Sequence, residues 1–389
     1  MNILYLYHIP MVPNLGGVEK VTQILSDEFR KKGHSVSFLY ICDEKKADSG
    51  QLSPVYFINP DDVDKNIKFQ DLIKREKIDV VVNQSWSLAM LDFLESLEPV
   101  SPPIISVHHN QPFPYFWKER IYKRLDRPAT IPAKISKIIA LFSPLLFRYL
   151  ISKKFKREFI GLSDNSDKVM LLSEKFIPRI KKILPELNTK KVSALPNPNT
   201  FTIKPDLEDK KEKLIIFVGR LEDPQKNVKA FIDVWNRFYK NHPDWNALII
   251  GEGPHREIFE KYAAKQKSQN LKFIGNQKDM SSYFSKASFL CLTSLYEGWG
   301  MVLTEAMAYN CIPLAFDSYE SIEDIICEKS LLVEFNDTDS MAKRIEDLLK
   351  DPGKMNLIKK NNKEHIQVFD RSRVADLWIK EFGSLISNA

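Results

Sequence analysis

The chain has 389 residues, of which 43% are hydrophobic and 28% charged, and a formal net charge of +6. That length predicts two domains, and the composition excludes a disordered or fibrous chain. The charge surplus is too small to mark a nucleic-acid binder, and neither a zinc spacing nor an RNA-binding aromatic motif accompanies it, so no nucleic-acid partner is expected.

The N-terminus, MNILYLYHIP, lacks a basic leading region and runs straight into an apolar stretch, Asn2 to Tyr7, so it reads as a first strand and not as a signal peptide. The loop HIPMVPNLGG leads to a helix over Val18 to Lys32, whose Val21, Ile24, Leu25 and Phe29 recur at helical spacing. Strand, glycine-bearing loop and helix open a doubly wound sheet. Gly33 ends the helix and Val36 to Ile41 is the next strand. Ile78 to Asn83 and Pro103 to Val107 are continuous and β-branched, the pattern of buried parallel strands. Asn83, Gln84 and Ser85 follow one of them and His108, His109 and Asn110 the other, at the strand ends where open α/β sheets gather ligands. Gly16 and Gly17 could bring backbone amides to a phosphate, or simply make a tight turn. His108 and His109 read either as acid/base or hydrogen-bonding groups or as structural imidazoles.

From residue 112 to 160 aromatic and aliphatic residues mix with many lysines and arginines, among them Lys118, Arg120, Arg148, Lys153, Lys154, Lys156 and Arg157. That composition suits peripheral contact with an anionic membrane, and equally a helical hairpin with a solvated basic face. No apolar run reaches the roughly 20 residues of a membrane span. Val169 to Leu172 is another strand, followed by a helix over Phe176 to Leu184. Val192 to Leu195 runs into Pro196, Asn197, Pro198 and Asn199, whose alternating prolines make a connection, and the charged run DLEDKKEK marks the linker.

The second half repeats the scheme. Leu214 to Val218 leads to Gly219, Arg220, the loop LEDPQKN and an amphipathic helix over Val228 to Tyr239. Arg220 and Lys226 thus place two cations at a strand end, suited to a pyrophosphate and to negative charge growing on a leaving group. The alternative is surface salt bridges to Glu222 or Asp223. Ala247 to Ile250 ends in GEGP, and Leu271 to Ile274 follows. Next come a strand over Phe289 to Thr293, a turn with Glu297, Gly298 and Gly300, a helix over Met301 to Tyr309 carrying Glu305, and a strand over Ile312 to Phe316. Glycines before a helix N-terminus let the backbone come close to an anion. Leu331 to Val333 and a helix from Thr338 complete the second parallel sheet. Val374, Leu377, Trp378, Phe382, Leu385 and Ile386 give a last helix one buried face, expected to cross back to the first domain. The four cysteines, Cys42, Cys291, Cys311 and Cys327, are scattered, and with Cys291 and Cys311 read as lying within strands they predict reduced, buried thiols in a reducing compartment.

FVGRLEDPQKN, GEGP and EGWGMVLTEAMAYNCIPLAFD, in this order after a Pro-Asn-Pro connection, resemble the nucleotide-sugar glycosyltransferases of the GT-B fold, specifically the large retaining family 4. The resemblance is strong over Leu214 to Asp317 and weaker before Ser173. It implies an α/β architecture of two Rossmann-like domains facing a cleft, acceptor on the first, donor on the second, and no metal or other cofactor. The implied domains are residues 1–200 and 201–370, with 371–389 packing back. Glu297 and Glu305 match the family's glutamate pair, the first for the transferred sugar and the second for the ribose. Arg220 and Lys226 match its pyrophosphate ligands, and Gly298, Gly300, Met301 and Val302 fall where loop backbone meets the phosphates. Gly16 and Gly17 match the glycine loop near the donor phosphate or acceptor. His108 matches the histidine after a strand of the first domain, or His109 if the register slips by one. Two departures stand out: Asn310 replaces the usual Gly, and the first glycine loop is long and carries Pro10 and Pro13.

The expected function is transfer of a sugar from a nucleotide sugar, expected to be a UDP-sugar, to a glycan or glycolipid acceptor with retention, in bacterial surface polysaccharide assembly. Glu297, Arg220, Lys226 and His108 carry the chemistry in this reading. The expected place is the cytoplasm, with any membrane contact peripheral at the inner face of the cell membrane. A nucleotide-sugar epimerase of the same fold and a catalytically silent binding subunit are the alternatives.

Overall fold

In the computed structural model, which describes residues 1–11, 16–44, 54–98, 102–112, 143–203 and 210–387, each described strand runs parallel to its sheet neighbours. Parallel pairing requires crossovers that cover both faces of a sheet, so the strands read as continuous apolar runs. The chain divides into two compact units, the first made of Met1–Phe113, Tyr149–Thr200 and Phe369–Ala389, and the second containing Phe201–Val368.

In chain order the first unit holds β1 (Asn2–Tyr7), α1 (Gly17–Lys31), β2 (Ser35–Tyr40), β3 (Val55–Phe57), α2 (Lys65–Arg75), β4 (Val80–Asn83), α3 (Leu88–Glu95), β5 (Ile104–Val107), α4 (Pro144–Asp164) from its Tyr149 onward, β6 (Lys168–Leu171), α5 (Ile177–Ile183) and β7 (Val192–Ala194). Its sheet is ordered β3-β2-β1-β4-β5-β6-β7. Ile3, Leu4, Leu6, Val81 and Val82 in its centre are fully buried.

The second unit holds β8 (Glu212–Val218), α6 (Val228–Tyr239), β9 (Asn246–Ile250), α7 (Arg256–Lys265), β10 (Leu271–Gly275), α8 (Ser281–Lys286), β11 (Ala287–Leu292), α9 (Met301–Met307), β12 (Ile312–Phe316), α10 (Ile322–Ile325), β13 (Leu332–Val333), α11 (Thr338–Leu349) and α12 (Pro352–His365). The sheet order is β10-β9-β8-β11-β12-β13. α6 sinks Phe231, Trp235 and Phe238 into the core, with the Phe231 ring 5.5 Å from Phe217 of β8. Truncating such a ring costs about 3–5 kcal/mol, so this packing fixes the helix over the first strand of the sheet.

The chain ends in α13 (Arg371–Ile386), which returns to the first unit. Asp370 caps it by accepting from the Ser372 and Arg373 amides. Val374, Trp378 and Phe382, spaced four apart, are buried, and the Phe382 ring lies 5.6 Å from Phe29 of α1. Lys32 pairs with Asp376 at 2.8 Å, Lys168 pairs with Glu381, and the Arg371 guanidinium donates to the carbonyls of Asn199 and Thr200.

Some sequence expectations shift. The helix expected over Met301 to Tyr309 stops at Met307, because Asn310 takes a left-handed φ of 56° and closes a turn. Cys311 therefore precedes β12 instead of lying within it. β3 was not expected. Most of the basic stretch 112–160 lies outside the described residues, and of the part within them α4 carries residues 144–160. Among the described residues no helix is long and apolar enough to cross a membrane.

Candidate functional site

The order of strands in the second sheet reverses between β8 and β11, with β9 and β10 on one side and β12 and β13 on the other. Loops leaving the carboxyl ends of two such strands part in opposite directions and open a crevice, the usual ligand position of an open α/β sheet. Arg220 and Lys226 come from the loop after β8, and Glu297, Gly298 and Gly300 from the loop after β11.

The first loop is braced from the side. The Leu221 N–H donates to the Glu252 carbonyl at 2.9 Å, the His255 N–H donates to the Leu221 carbonyl at 3.1 Å, and the Asp223 N–H donates to His255 Nδ1 at 2.8 Å. A Cβ at Gly253 would fall 2.3 Å from the Leu221 carbonyl oxygen, so only glycine lets the GEGP loop come this close. The two cation-bearing and carboxylate-bearing loops are then joined to each other. The Leu295 N–H donates to the Gln225 carbonyl at 2.8 Å, the Gln225 amide donates to the Tyr296 carbonyl at 3.3 Å, and the Thr293 hydroxyl donates to the Asn227 carbonyl at 3.0 Å.

These bonds set Lys226 and Glu297 face to face. The ammonium donates to Glu297 Oε1 at 2.5 Å, with the lysine side chain 22% exposed and the glutamate 11%. Arg220 takes the other of its two expected forms: it is 68% exposed and its Nε lies 3.1 Å from Glu222 Oε2. An exposed bridge of that kind is worth about 0–1 kcal/mol, so the guanidinium can turn to an arriving anion at little cost. Gly300 has a φ of 85° and opens α9. Met301 and Val302 form the first turn of α9, whose N–H groups the helix itself does not use. Glu305 lies on the buried face of α9, 5% exposed.

The first unit holds the other expected residues. Gly16 caps α1 in an extended conformation, φ −151°, and Gly17 is its first residue, so neither takes a left-handed turn. Both are exposed, and a Cβ at Gly16 would meet the Glu19 carboxylate at 2.5 Å. His108 is buried, with its ring 4.6 Å from Trp86 and 5.6 Å from Phe159, and its backbone N–H donates to the Met170 carbonyl at 2.8 Å. His109 is half-buried and hydrogen-bonded through Nε2 to Gln84 Oε1. Burial, and then the neighbouring His108, push its pKa down to about 3.

One residue at this end of the first sheet escaped the sequence reading. His8 follows β1 directly, its Nδ1 lies 2.6 Å from Ser85 Oγ, and its backbone N–H donates to the same oxygen at 2.9 Å. Ser85 is 1% exposed and its N–H donates to Asn83 Oδ1 at 2.9 Å, so the imidazole rests on a built support. The signal was available: His8 is the first polar residue after a strand, the position that singled out His108. Among the described residues no group of three or more His, Cys, Asp or Glu side chains is placed to hold a metal ion.

Two family models match the chain, Glycosyl transferases group 1 over residues 199–365 and Glycosyltransferase Family 4 over residues 15–144. An uncharacterized glycosyltransferase of Haemophilus influenzae is 24% identical over 379 residues, 95% of this chain and 94% of that protein. A Campylobacter jejuni alpha-1,4-N-acetyl-D-galactosaminyltransferase, whose name places its sugar chain on PP-undecaprenol, is 29% identical over 248 residues, 62% of this chain and 64% of that protein. Among solved structures, Anabaena HepE in complex with UDP matches with a TM-score of 0.72 at 15% identity, covering 99% of this chain and 100% of that one. A mutant of S. aureus TarM, in complex with fondaparinux, alpha-GlcNAc-glycerol and UDP, matches with a TM-score of 0.71 at 13% identity, covering 98% of this chain and 99% of that one.

Proposed function

This chain is a glycosyltransferase of the GT-B, family 4 type, and on that premise we propose that it moves a sugar from a UDP-sugar to a glycan or lipid-linked glycan in bacterial surface polysaccharide assembly, with retention at the anomeric carbon. The observation that carries the reading is the Lys226–Glu297 pair, set between two loops where the strand order reverses. In this reading Arg220, Lys226 and the backbone of Gly298, Gly300, Met301 and Val302 take the diphosphate. Glu297 accepts hydrogen bonds from the transferred sugar and Glu305 from the ribose. Gly16, Gly17 and His108, with His109 as the alternative histidine, serve from the first unit. Glu297 already accepts from Lys226, which suits an acceptor of hydroxyl hydrogens better than a nucleophile. The bond from the anomeric carbon to the phosphate oxygen breaks as the acceptor oxygen bonds to that carbon on the same face, and the acceptor's proton leaves with the diphosphate. Two cations and a helix N-terminus can do for the leaving group what a divalent ion does elsewhere, so activity should survive chelation.

The UDP in HepE and TarM supports the choice of nucleotide. The undecaprenol-linked substrate named for the Campylobacter relative, and an Erwinia amylovora amylovoran biosynthesis glycosyltransferase that is 27% identical over 159 residues, 41% of this chain and 44% of that protein, support the class of acceptor. α4 exposes Leu146, Tyr149 and Leu150 beside the exposed Lys153, Lys154 and Arg157, which supports peripheral contact with an anionic membrane.

The test is a thermal-shift screen of nucleotide sugars followed by transfer assays with lipid-linked acceptors in EDTA. A UDP-sugar should raise the melting temperature, and Glu297→Gln, Arg220→Ala and Lys226→Ala should each lower transfer while remaining folded. Full transfer by any folded variant removes that residue from its role, and an isomerised donor formed without acceptor points to an epimerase instead. Flotation with anionic vesicles decides membrane contact, and absence of salt-sensitive binding removes it.

A further inference from the structure

We propose that Tyr319 and Ser321, on the loop between β12 and α10, are positioning residues that fix the backbone of the Glu297–Gly300 loop toward the leaving diphosphate, an inference that rests on the donor reading above. Three hydroxyls of this neighbouring loop each hold a carbonyl of the loop after β11. Ser318 Oγ donates to the Ser294 carbonyl at 2.7 Å, Ser321 Oγ to the Gly298 carbonyl at 2.9 Å, and the Tyr319 hydroxyl to the Trp299 carbonyl at 3.3 Å. Ser321 is fully buried and Tyr319 is 4% exposed, so water does not compete for these bonds.

The geometry of the peptide unit carries the consequence. In a trans peptide the C=O and the following N–H point in opposite directions. Drawing the carbonyls of Gly298 and Trp299 toward Ser321 and Tyr319 therefore turns the N–H groups of Trp299 and Gly300 to the other side of the loop. Gly300 completes the device. A Cβ there would lie 2.4 Å from the Tyr319 hydroxyl, so the phenol oxygen sits directly against the glycine, whose φ of 85° then starts α9. Burial, and then the Glu297 charge, raise the Tyr319 phenol well above its ordinary range, so it donates at every working pH. Buried carbonyls need donors in any protein, but here the donors come from a second loop and select which face of each peptide plane is presented.

The experiment compares affinities for UDP and UMP by calorimetry in the full chain, its Tyr319→Phe/Ser321→Ala double variant and a Ser321→Thr variant. Tyr319→Phe keeps the ring packing, and thermal melting of each variant checks the fold. The double variant should lose tenfold or more in UDP affinity with UMP affinity held within twofold, because only the diphosphate reaches the terminal phosphate position. Its kcat for sugar transfer should fall by more than its KM for acceptor changes, while Ser321→Thr, which keeps the donor, should retain both. Equal UDP affinity, or UDP and UMP affinities falling together, overturns the inference while the donor reading stands. Absence of UDP binding by the unaltered chain overturns both.

Discussion

Glu297→Gln tests whether the Lys226–Glu297 pair is chemistry or merely a clasp between two loops. The substitution keeps shape and removes one charge, leaving an ammonium only 22% exposed against a neutral amide. Breaking a fully buried pair costs about 3–5 kcal/mol, whereas an exposed one is worth about 0–1. Side chains 22% and 11% exposed lie between those limits, so the expected loss of stability is about 1–3 kcal/mol. Loss of one preorganised polar group at a reacting centre costs about a hundred- to a thousandfold in rate. Lys226→Met alone should behave similarly. The double variant separates the two roles, because removing both charges relieves the unpaired one: stability in urea should return to within about 1 kcal/mol of the unaltered chain. Transfer, measured as kcat/KM with saturating acceptor, should stay down by about a hundredfold. If activity returns together with stability, the pair is a clasp and the catalytic reading of it is wrong.

Arg220→Ala should leave stability in urea within about 0.5 kcal/mol, since its bridge to Glu222 is exposed, yet weaken UDP binding and reduce its salt dependence by calorimetry. Gly253→Ala would drive a Cβ against the Leu221 carbonyl and should cost about 2 kcal/mol or more, read as a lowered melting temperature; an unchanged one refutes the close-approach reading. His109 is held neutral by a pKa of about 3 against an ordinary value of 6.5, so below pH 6.5 the unfolded chain binds more protons. Stability should therefore fall as pH drops below 6.5, by less than the one-proton limit of about 1.4 kcal/mol per pH unit because the side chain is only half-buried, and His109→Gln should flatten the profile. Iodoacetamide should label exposed Cys327 in the native protein and spare Cys42, Cys291 and Cys311, which are buried. Burial pushes the Cys311 thiol up to about 12 and raises Cys291 as well, and peptide mass mapping before and after denaturation checks this.

Much of the sheet framework was legible because its strands must be apolar on both faces. Ile312 to Phe316 is such a run, and β12 has those bounds. The helix over Val228 to Tyr239 was equally plain from its apolar spacing. β3 was hidden because Val55, Tyr56 and Phe57 form a three-residue edge strand, half-buried, too short for periodicity to register. At the site, strand ends pointed to Arg220, Lys226 and Glu297. Sequence could not say that Lys226 would face Glu297 while Arg220 turned to Glu222, because that choice is made by Gln225 bonding to Leu295 and Tyr296, far along the chain. Tyr319 and Ser321 were invisible for a related reason. A hydroxyl in a loop has no period, and its meaning depends on which carbonyl lies opposite.

The return of α13 has a consequence for how the protein is made. The apolar face of α1 packs on α13, with Phe29 against Phe382, so the first unit to leave the ribosome is the last to be finished. At about 5–20 residues per second, synthesis of the intervening stretch takes on the order of 20–70 s, during which that face awaits its partner. A stop codon just before Arg371 would spare every strand of the second unit and leave the first one unsealed.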